Sequence, residues 1–287
     1  MNSRVATFTV YGLGSVLGAA AFLWPFVLPA ESAPSAAHSA DAPLVGAALA
    51  ALALSAVALE LRQRGMGGAL VALLGALSAA AGLLRLLDLP GGGSGMFFLV
   101  ILAGAAFGAR FGILLGLCSM AVSAVLTGGL GPWLPFQMLG LAWMGGGAGL
   151  VGALTRRLPP LAEVGVLVVY GWVWGFLYGG IMNLWFWPFV MDGGALSYDP
   201  SLGPLDVVRR YAAFYAITSF GWDAAGAVGN AVLIALTGRA LLPSLRRYRG
   251  RLDPVAVFAS AAAPAGDQQA GAEQRTRPGE AQHAAQS

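Results

Sequence analysis

Asp223 and Arg85 are charged side chains set in stretches that are otherwise apolar, and Gln137, Asn183 and Asn230 add carboxamides to the same setting. A carboxylate at the middle of a membrane helix costs about 2.5 to 3.5 kcal/mol on insertion scales, so Asp223 must face a bundle interior and find donors there. Counted from the expected outer helix ends at about 1.5 Å per residue, Arg85, Gln137, Asn183 and Asp223 fall in the outer half of a bilayer, on four different spans. Asn230 lies two turns deeper than Asp223 on the same helix face, with Gly226 between them. A convergent set on the outer side is what a binding cavity open to the exterior needs. Each residue also has a structural reading. Asp223 can bridge helices through Asn, Trp or backbone, and Arg85 lies near an interface with Asp88 three residues on, within reach of a local ion pair.

Trp133, Trp185 and Trp187 group with Phe136, Phe186 and Phe189 at the expected outer helix ends, where interfacial aromatic belts form. Trp133 also shares a segment with Gln137, and Trp185 and Trp187 follow Asn183, which gives apolar walls beside polar anchors as ligand sites have. Belt and ligand wall both stand as readings.

Catalysis is poorly supplied. All 16 basic residues are arginine, so a Walker A lysine and a Schiff-base lysine are excluded, and the chain is not its own ATPase. The single Cys118 excludes an internal disulfide and any multi-cysteine metal site. His38 and His283 lie in polar or low-complexity stretches, away from the apolar segments, so no histidine metal site or proton relay is expected. Asp223 has no second carboxylate, nucleophile–base pair or phosphate loop beside it. Neither an enzyme nor a cofactor protein is expected.

The elements that must hold these side chains follow from composition. With 57% hydrophobic and 10% charged residues, the chain is expected to be a membrane protein. Eight apolar stretches read as spans: Val5 to Leu28, Leu44 to Leu61, Met66 to Leu87, Met96 to Phe107, Gly112 to Leu126, Pro132 to Leu154, Val164 to Val190 and Tyr211 to Leu242. The fourth and fifth are short, but a single helix from Met96 to Gly128 would run to about 50 Å, far beyond a bilayer core. A hairpin at Ala109-Arg110-Phe111 with a cytoplasmic N-terminus puts ten arginines inside: Arg4, Arg62, Arg64, Arg110, Arg156, Arg157, Arg246, Arg247, Arg249 and Arg251. Only Arg85, Arg209 and Arg210 then approach the outside, and merging the two segments would strand Arg156, Arg157 and the Arg246 to Arg251 cluster there. The arginines are better explained as topology determinants than as a nucleic-acid surface. The expectation is an all-α polytopic bundle of eight spans with both termini cytoplasmic.

Pro29 to Pro43 reads as a solvated outer loop whose Ala and Ser content permits a signal-peptidase site, although the preceding apolar run is longer than a usual signal core. Residues 252–287 read as a disordered cytoplasmic tail. Two stripes of small residues recur at four-residue spacing, Gly171, Gly175 and Gly179 on the seventh span and Ala72, Ala76 and Ala80 on the third. Small residues let helix backbones approach in lipid, so internal packing is the simplest reading of either stripe.

Residues 65–251 resemble the substrate-binding (S) component of an energy-coupling factor vitamin transporter. The resemblance rests on the alanine stripe followed by Leu83-Leu84-Arg85-Leu86-Leu87, on Met96 to Arg110 with its Phe107-Gly108 turn, on Gly131-Pro132-Trp133-Leu134-Pro135-Phe136-Gln137, on Trp172 to Pro188, and on Thr218 to Asp223 through Asn230 to Arg239. It implies a six-helix core that captures a vitamin from outside and works with a transmembrane coupling subunit and two cytoplasmic ATPases. Within the family the chain looks most like actinobacterial members associated with cobalamin, and another vitamin would suit the aromatic rim as well. The implied ligand site is Arg85, Trp133, Gln137, Asn183, Asp223 and Asn230, and the implied coupling face is Ala72, Ala76 and Ala80. Residues 1–64 form an extra leading hairpin outside the family's usual core. Two other classes compete: a structural or regulatory scaffold without a small-molecule site, and an ion-driven transporter, against which the shortage of intramembrane carboxylates and broken-helix repeats counts.

Overall fold

At Gly108 the backbone takes a φ of +99°, a conformation that side chains with a β-carbon rarely adopt, and the chain reverses there. In a computed structural model, which describes residues 3–27, 38, 41–62, 67–86, 88–89, 93–190 and 193–252, this residue separates α4 (Met96–Phe107) from α5 (Ala109–Thr127). The reversal expected at Ala109 to Phe111 thus falls one residue earlier. The other helices are α1 (Ser3–Leu23), α2 (Ala42–Arg62), α3 (Gly68–Leu84), α6 (Leu134–Thr155), α7 (Pro160–Phe186), α8 (Pro204–Thr218) and α9 (Phe220–Leu252). A two-residue antiparallel pair, Asp88–Leu89 with Gly93–Ser94, links α3 to α4.

The expected fourth span is the centre of the bundle. Ten of the twelve residues of α4 are buried, including Val100, Ile101, Leu102 and Ala103 at 0% exposure. At about 18 Å it is short for a bilayer core, and because other helices surround it, it has little lipid to meet. Glycines set the distances around it. A β-carbon on Gly104 or Gly112 would strike the Gly145 carbonyl, one on Gly116 the Leu141 carbonyl, and one on Gly152 the Ala105 carbonyl. Three helices therefore meet backbone to backbone, as expected where packing rather than hydrophobic expulsion drives association.

Among the described residues, five helices are long and apolar enough to cross a membrane: Thr9–Phe26, Ala109–Thr127, Leu134–Thr155, Pro160–Phe189 and Phe220–Arg251. Leu154, Val169, Trp222 and Leu236 are all more than 60% exposed on the outside of the bundle, the arrangement of a protein that turns apolar side chains to lipid. The chain is an all-helical membrane protein.

The expected eighth span is divided. Its first residue, Tyr211, lies inside α8, which ends at Thr218, and α9 starts afresh at Phe220. The sequence obscures this break because Phe214 to Phe220 is aromatic and apolar, without proline or glycine to mark it. One face of α8 lies along α7 through Tyr211, Phe214 and Tyr215, while Leu205, Val208 and Ile217 are exposed.

The leading hairpin packs onto the rest of the bundle. Gly18 sits under Leu139 and Trp143 of α6, and Phe22 meets Phe136 edge-on at 5.0 Å. At the opposite end, which carries most of the arginines, Arg246 of α9 grips the buried Glu163 of α7 with two bonds of 2.6 and 2.8 Å, Thr155 adds a third at 3.2 Å, and Arg249 donates to the Ala106 carbonyl at 3.0 Å. Arginines legible as topology determinants therefore also fasten α9 to α7 and α4. Of the expected tail, residues 252–287, Leu252 is the last residue of α9, and the rest, with most of the expected outer loop, lies outside the described residues.

Candidate functional site

The α7 helix organises the aromatic end, because successive residues on it face different neighbours. Gly171, Gly175 and Gly179 face α9: a β-carbon at Gly175 would strike the Ala227 backbone, and one at Gly179 the Asp223 carboxylate. This stripe is internal packing. The alanine stripe of α3 is not, since Leu74, Ser78, Ala81 and Gly82 are the buried face of that helix, Ala72 and Ala76 are exposed, and Ala80 is half-buried.

Asp223 and Asn183 belong to one cluster between α7, α8 and α9. The Tyr215 hydroxyl donates to Asp223 Oδ2 at 2.8 Å, Asn183 Nδ2 donates to Ser219 Oγ at 2.7 Å, and the Tyr211 hydroxyl donates to the Gly180 carbonyl. The break at Ser219 makes this possible, because it folds the tyrosines of α8 back beside the carboxylate of α9. Tyr211, Tyr215 and Ser219 carry no signal in the sequence, where they read as part of one helix.

Arg85 belongs to a second cluster, on the adjoining face of α7 at the same depth. Its Nη1 lies 2.8 Å from Met120 Sδ, and its charge acts on the Tyr178 phenol. Tyr178 packs edge-on against Phe97 at 4.9 Å, over Gly140 of α6. By register Gln137 stands opposite Met120: Gly112 meets Gly145 and Gly116 meets Leu141, which puts Met120 and Gln137 level one turn further out. The side chain of Asp88, a possible partner for Arg85, lies outside the described residues.

Trp133 and Asn230 stand apart from both clusters. Trp133 is 39% exposed at the rim, donates to the Gly129 carbonyl at 3.1 Å and meets Trp185 edge-on at 6.3 Å. Asn230 is buried, two turns below Asp223, and donates to the Gly171 carbonyl at 2.9 Å, which ties α9 to α7. The six candidate residues thus form two adjacent polar clusters, one rim aromatic and one helix tie.

The aromatic group divides as well. Trp133 and Phe186 are exposed, as a belt requires, but Phe136, Trp187 and Phe189 are buried. They are covered by the leading hairpin, with Phe26 tilted against Trp187 and Trp24 edge-on to Phe189. His38, set aside in the sequence as a polar-loop residue, is 2% exposed among Phe136, Trp185 and Phe189. Its Nδ1 is 2.6 Å from Asp41 Oδ2, which also accepts from Trp24 Nε1 at 2.8 Å. Burial holds this imidazole below its ordinary pKa, against the opposing pull of Asp41, so the neutral ring with Nδ1–H donating is favoured.

Two cavities lie elsewhere at the interface of the hairpin with the core. One of about 450 Å³ lies between the start of α2 and the α5–α6 turn, lined by Ala42, Gly46, Pro132 and Pro135 among others, and a smaller apolar crevice separates α1 and α2 from α5 and α6. None of the six candidate residues lines either. Among the described residues no group of three His, Cys, Asp or Glu side chains is gathered as a metal site would need. Compared with known proteins, the chain matches no family model, no curated protein and no solved structure.

Proposed function

We propose that the chain is the substrate-binding subunit of an energy-coupling factor importer that captures a vitamin, cobalamin being the first candidate, and delivers it inward with a transmembrane coupling subunit and two cytoplasmic ATPases. In this reading α1 to α7 and α9 are eight spans, both termini are cytoplasmic, the aromatic end faces outside and residues 65–251 are the transport core. The subunit performs no chemistry and needs no cofactor.

The observation that carries the reading is the contrast between the two small-residue stripes. Gly171, Gly175 and Gly179 are used up against α9, whereas Ala72 and Ala76 remain uncovered on α3, beside the equally open Gly75. A smooth helix face left free in a bundle otherwise closed by small residues is suited to another membrane helix. The absence of lysine, and with it of any Walker A site, agrees with energy supplied by another chain.

Replacing Ala76 with Trp tests this. Co-purification with the coupling subunit should be lost while cyanocobalamin binding and thermal stability are retained. Loss of folding along with partner binding would count against a docking face.

A scaffold without a small-molecule site is the second reading, favoured by Asp223 and Asn183 finding partners within the bundle, Tyr215 and Ser219. It expects no bound vitamin by mass spectrometry of the purified protein and no binding to a vitamin panel.

A further inference from the structure

We propose that Arg85, with Tyr178 and Gln137 beside it, is the subsite for an anionic group, a carboxylate or phosphate ester, on the ligand of the outer half. The proposal rests on the binding-subunit reading and adds the chemical class of what is bound.

A guanidinium has five N–H donors. The one hydrogen bond of Arg85 among the described residues goes to a thioether, a weak acceptor that carries no charge, and no described carboxylate lies within ion-pair distance. Among the described residues, the groups around it are unsatisfied too. The Tyr178 hydroxyl is buried without a partner, although it sits within the field of the arginine. The Ser123 hydroxyl is also buried without a partner, on the same α5 face as Met120 and against Gly82, one turn below Arg85. The Gln137 amide, opposite Met120 by register, makes no hydrogen bond either.

Buried polar groups are nearly always paired, and a charge withdrawn from water needs an opposite charge. One cation surrounded by donors that lack acceptors is missing acceptors that carry negative charge. Asp223 does not supply them, because its carboxylate lies against Gly179 of α7 and is engaged by Tyr215 of α8. A ligand carboxylate or phosphate could take several of these donors at once, and a bidentate guanidinium contact would fix its orientation.

Two measurements on protein in phosphatidylcholine nanodiscs test this. The first is binding of matched probes, biotin against its carboxamide and cyanocobalamin against dicyanocobinamide, which lacks the phosphodiester. The second is thermal stabilisation by acetate and phosphate relative to chloride at fixed ionic strength. Wild type should prefer the anionic member of whichever pair binds by about 10- to 100-fold and be stabilised by the small anions. Arg85→Gln should lose both effects and stay folded. Tyr178→Phe should lower the preference while keeping its direction.

Small-anion stabilisation that depends on Arg85, with no vitamin bound, would sink the importer reading and leave the subsite standing. Vitamin binding with no charge preference and no anion effect would overturn the subsite and leave the importer. A preference that appears only in Asp88→Asn would overturn it as well, because Asp88 would then be the internal counter-ion. So would an Arg85 effect seen only on adding phosphatidylglycerol, since a lipid headgroup would then be the anion.

Discussion

The carboxylate of Asp223 occupies the place where a β-carbon on Gly179 would stand, so the one acid of α9, in its first turn, is seated directly on the backbone of α7. The same stripe continues inward at Gly175, where the obstacle is the backbone of Ala227. A side chain can turn aside and a backbone cannot without moving its helix.

Gly175→Ala should therefore cost the more stability, about 1 to 3 kcal/mol from overpacking, read as a lower melting temperature in detergent. Gly179→Ala should cost less, but should displace Asp223 from Tyr215. Tyr215→Phe should remove the same Tyr215–Asp223 bond without the steric cost. If the two glycine variants melt alike, the distinction between side-chain and backbone contact is wrong.

Glu163→Ala leaves Arg246 facing a partly buried position without its bidentate partner. Breaking such a pair typically costs about 3 to 5 kcal/mol, here somewhat less because Arg246 keeps some solvent contact. The double variant Glu163→Ala with Arg246→Met should recover part of the loss. Thermal unfolding of the four proteins in the cycle measures the coupling, and additive losses would show that the pair contributes little beyond its separate side chains.

Acid should loosen the hairpin at the aromatic end. Burial depresses the pKa of His38 below its ordinary value of 6.5, so as the pH falls through 6.5 the unfolded state takes up a proton before the native state does. The stability contributed by the neutral ring is complete above that value and is lost progressively below it. Melting between pH 7.5 and 5, followed by tryptophan fluorescence from Trp24 and Trp185, should show this slope. His38→Asn should flatten it, since asparagine tolerates the φ of +54° at this position.

Asn230→Leu removes the bond to the Gly171 carbonyl and should lower stability by about 1 kcal/mol. Vitamin affinity should not change, because the amide ties α9 to α7 below the two polar clusters. A selective loss of affinity in a protein that melts normally would return Asn230 to the ligand site.

Composition and periodicity by themselves determined that this is an all-helical membrane protein, because 57% hydrophobic residues in long runs have no soluble packing that buries them. They also located the Phe107-Gly108 turn to within a residue or two, since a helix through it would overrun a bilayer. Spacing found both small-residue stripes but did not say which was used: the hydropathy of a glycine or an alanine is the same whether it is packed or left open, and only the neighbours of each helix decide it. The depth count assigned Arg85, Gln137, Asn183 and Asp223 to the outer half of a bilayer, but a rise per residue carries no rotation, and rotation about each helix axis divided them between two faces of α7. The break at Ser219, which brings Tyr215 to Asp223, has no proline to announce it, and Gly221 two residues on is one of many glycines in the chain's helices. His38 went unrecognised because its burial depends on aromatics from α6 and from the end of α7, about 100 to 150 residues away in sequence, and such long-range contacts exist only once the helices have packed.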